Sequence, residues 1–172
     1  LEEVTIYTDG ACLDNPNGPG GYGAVLLHEK NGKVYKKELS GGFKNTTNNR
    51  MELMAVIVAL EALKRPCNVK VYSDSKYIVD AINLGWVDKW KKFDWHRSAS
   101  RKSKVKNIDL WKRLLNAMDS HNVQFEWVKG HAGIDLNERC DELATKAAEG
   151  KNLPEDVRPE EEEEQEQIKM DI

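Results

Sequence analysis

Four carboxylates stand at or near the ends of candidate strands and helices: Asp9, Glu52, Asp74 and Asp141. Brought together, they would suit Mg²⁺, which takes oxygen ligands, keeps several waters and leaves positions for a substrate phosphate. Asp9 is the most demanding of the four. It lies in Val4-Thr5-Ile6-Tyr7-Thr8-Asp9-Gly10-Ala11, whose alternation and β-branched content read as a strand with Gly10 as its stop. A carboxylate there costs free energy unless it is paired, hydrogen-bonded or bound to a cation, and the strand holds no basic residue.

Each acid also has an ordinary local explanation. Asp9 could bond the turn at Gly10, and Glu52 could complete a capping box with Asn49. Asp74 could cap the helix after it, and Asp141 could be a helix N-terminal charge. His131 sits in the small-residue loop Lys129-Gly130-His131-Ala132-Gly133, and an imidazole, with its ordinary pKa close to neutrality, suits proton transfer.

The elements that must carry these groups read in order. Tyr22–His28 is a strand, and Asn31-Gly32 turns it into Lys33–Leu39, so the first three strands form a meander. Gly18, Gly20 and Gly23 satisfy G-x-G-x-x-G, but the run enters a strand rather than opening a helix, so a dinucleotide site is rejected. A helix apolar on most faces runs from the Asn49 region to about Lys64, ahead of Pro66. Val69–Ser73 is a strand ending on Asp74, at the position where sheets with helical crossovers place ligands. Lys76–Asn83 is helical, Asn107–Ser120 an amphipathic helix, Val123–Val128 a strand and Asn137–Glu149 a closing helix.

Length and 40% hydrophobic content suit one globular domain over residues 1–150. No run approaches a membrane span, and no secretory leader is read before Val4. Cys12, Cys67 and Cys140 lack C-x-x-C spacing, which argues against disulfides or zinc and for reduced residues in the cytoplasm. The net charge of −3 conceals two opposed segments. Residues 86–107 carry eight basic and two acidic residues, whereas residues 151–172 carry nine acidic and three basic. The second is expected to be a disordered acidic tail, centred on Glu160–Glu164. In the first, Trp86, Trp90 and Trp95 interleave with Lys89, Lys91, Lys92 and Arg97, a pattern suited to a phosphate backbone. Trp86 and Trp90, one helical turn apart, could equally anchor that segment to the core.

Six blocks in order resemble type 1 ribonuclease H of the bacterial kind: Thr8-Asp9-Gly10, Gly20-Gly21-Tyr22-Gly23, Thr46 through Leu53, Ser73-Asp74-Ser75, Trp127 through His131, and Asn137 through Ala144. The resemblance implies an α/β fold with a mixed five-stranded sheet flanked by helices, and a basic helical protrusion at residues 86–107. It implies Asp9, Glu52, Asp74 and Asp141 as metal ligands for two Mg²⁺ ions, with Mn²⁺ as a possible substitute, and His131 beside them. Asp9 would bridge the ions, Asp141 would lie toward the attacking water, and Glu52 and Asp74 toward the leaving group. Nucleic-acid contacts would come from Asn15, Thr47, Asn48, Asn49 and Asn137, and from Trp86, Lys89, Trp90, Lys91 and Lys92 of the protrusion.

The implied activity is sequence-independent endonucleolytic hydrolysis of the RNA strand of RNA–DNA hybrids, leaving 3′-hydroxyl and 5′-phosphate ends, by a cytoplasmic monomer. Two ions roughly 3.5–4 Å apart would supply the nucleophilic water, the in-line transition state and the neutralised leaving oxygen. Two other classes share the fold: DNA-directed nucleases of the integrase or resolvase type, and a non-catalytic hybrid-binding module. The Thr46–Glu52 block with His131 speaks against the first, and the intact quartet against the second. Lys76 departs from the expected Gln, the Cys12–Gly18 segment is one residue longer, and Arg97–Lys104 enlarges the protrusion.

Overall fold

The structure is a computed structural model that describes residues 1–130 and 135–159. Five strands form one sheet: β1 (Glu2–Cys12), β2 (Gly18–Lys30), β3 (Lys33–Thr46), β4 (Cys67–Ser73) and β5 (Asn122–Trp127), in spatial order β3-β2-β1-β4-β5. The first three pair antiparallel as the expected meander, while β1 with β4 and β4 with β5 are parallel. Parallel neighbours need crossovers, which the helices supply. Those helices are α1 (Asn48–Glu61), α2 (Lys76–Asn83), α3 (Trp86–Lys92), α4 (Ile108–Met118) and α5 (Asp135–Ala148). This is the mixed five-stranded architecture expected from the sequence.

Successive strand residues point to opposite faces, and small residues use that alternation to admit two helices. Gly20 of β2 meets Thr46 and Met51 on one face, whereas Gly21 meets Ala144 and Ala148 of α5 on the other. Helix α1 therefore covers one face and α5 the opposite one. Val4, Ile6 and Thr8 of β1 are buried alternately with half-exposed neighbours, beneath an α1 whose residues Met51 to Ile57 are all buried. That burial accounts for a helix apolar on most faces.

Two local expectations need correction. Gly10 does not stop β1, because pairing continues through Gly10 with Tyr22, Ala11 with Gly21 and Cys12 with Gly20. The α1 cap is Thr47 rather than Asn49: its side chain accepts the Arg50 amide at 3.2 Å, so Glu52 is free of any capping box.

The chain beyond residue 150 is described as far as Pro159. Beyond α5 the chain turns back across the domain, where Pro154 accepts the Lys44 amide at 2.8 Å and Asp156 is buried against Arg50 at 2.6 Å. The acidic run Glu160–Glu164, with the remainder to Ile172, lies outside the described residues, as does His131. Among the described residues, no helix is long and apolar enough to cross a membrane.

Candidate functional site

Asp9 projects from the α5 face of β1, directly across from Gly23 of β2. A Cβ on Gly23 would run into the Cys140 carbonyl and the Leu143 side chain, so its absence lets α5 lie against the strand pair beside Asp9. Gly10, one residue on, faces α1, and a Cβ there would collide with the backbone of Met51 and Glu52. The two helices thus close on Asp9 from opposite faces, one presenting Glu52 just past its first turn and the other Asp141 beside Cys140. Asp141 lies nearly two turns inside α5, which removes its reading as an N-terminal helix charge.

Asp74 occupies the link from β4 to α2. Ser75, not Asp74, caps α2, accepting the Ile78 amide at 3.3 Å, and its own amide bonds Ser73 Oγ at 3.1 Å. The Trp127 indole donates to the Asp74 carbonyl at 3.0 Å and fixes the same link from β5. Asp9, Glu52 and Asp74 each offer a carboxylate oxygen within 4.8 Å of the others. They line an open groove of about 390 Å³ together with Asn48, Asn49, Lys76, Tyr77 and Asp141.

The electrostatics of the cluster are those of a site that wants a cation. Burial, then the charge of Asp74 and more weakly that of Asp141, pushes the Asp9 carboxyl from 3.8 up to about 7, against a lowering hydrogen bond from the Gly10 amide. Burial, then the charges of Asp9 and Asp74, holds Glu52 well above the usual carboxylate range. Glu52 Oε2 is buried and has no hydrogen-bond partner among the described residues. An orphaned buried carboxylate oxygen beside two further carboxylates is a donor set for a hard divalent ion, since neutral protein groups leave it unsatisfied.

A larger hollow of about 540 Å³ lies between β3 and α5, lined by Ser40, Arg139, Glu142 and Lys146. Arg139 there is already ion-paired to Glu38 and Glu142, at 2.6 and 3.0 Å. Among the described residues, the group of carboxylates that could hold a metal ion lies in the smaller groove.

The RNase H family model matches residues 1–149, the whole of the sheet and its helices. The chain belongs to the RNase H family. Ribonuclease H of Desulforamulus reducens is 58% identical over 158 residues, covering 92% of this chain and 95% of the relative. That of Trichodesmium erythraeum is 56% identical over 155 residues, covering 90% and 94%. Among solved structures, LC9-RNase H1, a type 1 RNase H with the type 2 active-site motif, superposes with a TM-score of 0.79 at 32% identity, covering 89% of this chain and 75% of that one. LC11-RNase H1 in complex with an RNA/DNA hybrid gives 0.62 at 25% identity, covering 84% and 96%.

The remaining expected residues of this RNase H family member distribute unevenly around the groove. Asn48 and Asn49 are exposed at its rim, and Asn15 reaches them from the β1–β2 loop, its Oδ1 accepting the Asn48 amide at 3.1 Å. Thr47 has its hydroxyl engaged as the α1 cap. On α3, Lys89, Lys91 and Lys92 are exposed, and Trp86 is 42% exposed. Trp90 instead packs edge-on against the buried Trp111 at 5.5 Å, so its ring is committed to the core. Asn137 is 3% exposed, and its buried Oδ1 has no hydrogen-bond partner among the described residues. His121 accepts the Cys67 amide at 3.1 Å where β4 begins.

Sequence reasoning passed over two residues. Tyr77 lines the groove and its hydroxyl accepts from Trp111 Nε1 at 2.9 Å and Asn107 Nδ2 at 3.1 Å. Arg50, 2% exposed, lies under the rim. A cation in the first turn of a helix opposes the macrodipole, and that was the available signal that Arg50 has acidic partners.

Proposed function

We propose that this chain hydrolyses the RNA strand of RNA–DNA hybrids, without regard to base sequence, leaving 3′-hydroxyl and 5′-phosphate ends. The observation that carries the reading is the convergence of Asp9, Glu52 and Asp74 within 4.8 Å in an open groove bordered by Asp141 and an exposed asparagine turn. Asp9, Glu52, Asp74 and Asp141 are the ligands for two Mg²⁺ ions, for which Mn²⁺ can substitute. When bound, the ions supply an activated water and neutralise the leaving oxygen.

The chain's own groups do the rest. Asp9 and Glu52 hold protons more tightly than ordinary carboxyls and must release them for the full donor set to form. Asn48 and Asn49 present side-chain amides at the groove rim, where they can meet sugar hydroxyls and base edges of a widened minor groove. Lys89, Lys91 and Lys92, with Trp86 beside them, meet phosphates of the second strand, an interaction that steers affinity but reads no sequence. His131 moves a proton or assists release of the product phosphate. The protein acts as a monomer in the cytoplasm.

Incubation of the protein with end-labelled hybrid, duplex DNA and duplex RNA under Mg²⁺ tests this. Cleavage confined to the RNA strand of the hybrid is expected. Cutting of duplex DNA would favour a resolvase-type or integrase-type enzyme, and binding without cutting a non-catalytic module.

A further inference from the structure

Beside the carboxylate groove, and using none of its ligands, lies a partly buried ionic cluster tied to the segment that follows α5. Arg50 donates from Nη1 and Nη2 to the two carboxylate oxygens of Asp109, at 2.9 and 2.8 Å. It also donates from Nε and Nη2 to Asp156, at 2.6 and 3.1 Å. Arg158 stands 3.8 Å from Asp156, so two arginines balance two aspartates. A buried guanidinium bound in this bidentate way is fixed in orientation as well as position.

Asp109 and Asp156 differ in one respect. Asp156 Oδ2 accepts from Arg50 Nε and also from the Thr46 hydroxyl, at 2.7 Å. Thr46 and Arg50 immediately flank Thr47-Asn48-Asn49, so one carboxylate oxygen spans both ends of the turn that carries the rim asparagines. Asn15 holds the same turn from the other side through the Asn48 amide. Among the described residues, Asp109 bonds this turn through the Arg50 guanidinium alone.

We propose that Asp156 is a positioning residue for substrate binding: the segment after α5 clamps the Thr46–Arg50 turn and so holds Asn48 and Asn49 in the geometry that meets the hybrid. This rests on the reading that the turn touches substrate. The clamp acts on binding, because Glu52 is located by the packing of α1 on Gly10 rather than by Asp156.

Steady-state hydrolysis of a labelled hybrid by the full chain, below the unfolding transition of every variant, tests the clamp. Loss of the three hydrogen bonds that Thr46 and Arg50 donate to Asp156 corresponds to about a fivefold or larger rise in KM for Asp156→Ala, with kcat within about twofold of wild type. Asp109→Ala, which removes an equivalent ion pair, should lower thermal stability comparably and leave KM within about twofold. Thr46→Val should raise KM by about twofold, and add nothing further when combined with Asp156→Ala. An unchanged KM in Asp156→Ala, or an equal rise in Asp109→Ala, overturns the proposal. Should Asp156→Ala fail to fold, Thr46→Val decides alone, and an unchanged KM overturns it. Inactivity of the wild-type protein on hybrid would instead refute the functional reading on which the clamp depends.

Discussion

Asp9→Asn should make the metal-free protein more stable while abolishing turnover, and the gain should grow with pH in a defined window. Asp9 titrates at about 7 in the folded state against 3.8 for an ordinary Asp, because burial and then the charges of Asp74 and Asp141 oppose ionisation. A group whose folded pKa is raised contributes its full stability below about 3.8 and loses it as pH rises through about 7. A difference of about three pKa units, at about 1.4 kcal/mol each, makes the loss on the order of 4 kcal/mol. Because Glu52 is raised as well, the pair titrates together and the loss is spread across the window. An asparagine at this position neither titrates nor repels. Urea unfolding in EDTA, followed by tryptophan fluorescence, should therefore give similar midpoints for both proteins near pH 4. By pH 8 the variant midpoint should lie about 2 M higher, for a denaturant slope of about 2 kcal/mol per molar. Mg²⁺ should narrow that gap by stabilising wild type more than the variant. A stability difference independent of pH, or a variant less stable at pH 8, would refute the repulsion argument, and retained turnover would refute the role of Asp9.

Gly23→Ala should cost about 1–3 kcal/mol by overpacking α5 against β2, and should lower kcat by shifting Asp141; unfolding midpoints and single-turnover rates check it. His131→Ala should slow turnover without eliminating it, and a loss as complete as that of Asp9→Asn would show the roles to be wrong. Replacing Lys89, Lys91 and Lys92 together with Ala should reduce the slope of log affinity against log salt by about 0.7–0.9 for each phosphate no longer neutralised, measured by titration with hybrid. Deleting residues 160–172, and so sparing Asp156, should lower KM at low salt and have less effect as salt rises, if the acidic run competes with hybrid for the protrusion. A KM unchanged at the lowest salt would mark the run as a solubilising appendage.

The four acids were singled out by the six family-like blocks around them, since each alone has an ordinary local account. The structure brings Asp9, Glu52 and Asp74 together. What stayed hidden depends on partners far along the chain. Asp156 lies 106 residues from Arg50, so nothing local distinguishes a docked segment from the acidic run after it. Once that ion pair and the Asn15 bond hold the turn, α1 begins at Asn48, and Thr47 rather than Asn49 faces the free amide. Trp90 and Trp86 look equivalent in sequence, and only the position of Trp111 on α4 sends one ring inward and leaves the other exposed. Gly10 reads as a stop because glycine commonly is one, whereas here it is required by a helix crossing overhead.

Gly10 and Gly23 act like the machined reference faces of a jig. Helices α1 and α5 come to rest at these positions with backbone against backbone, so the separations among Asp9, Glu52 and Asp141 do not depend on side-chain volumes in the core. Exchanges among Leu, Ile, Val and Met beneath α1 should therefore preserve the carboxylate spacing. At the two glycines even one added methyl group resets it.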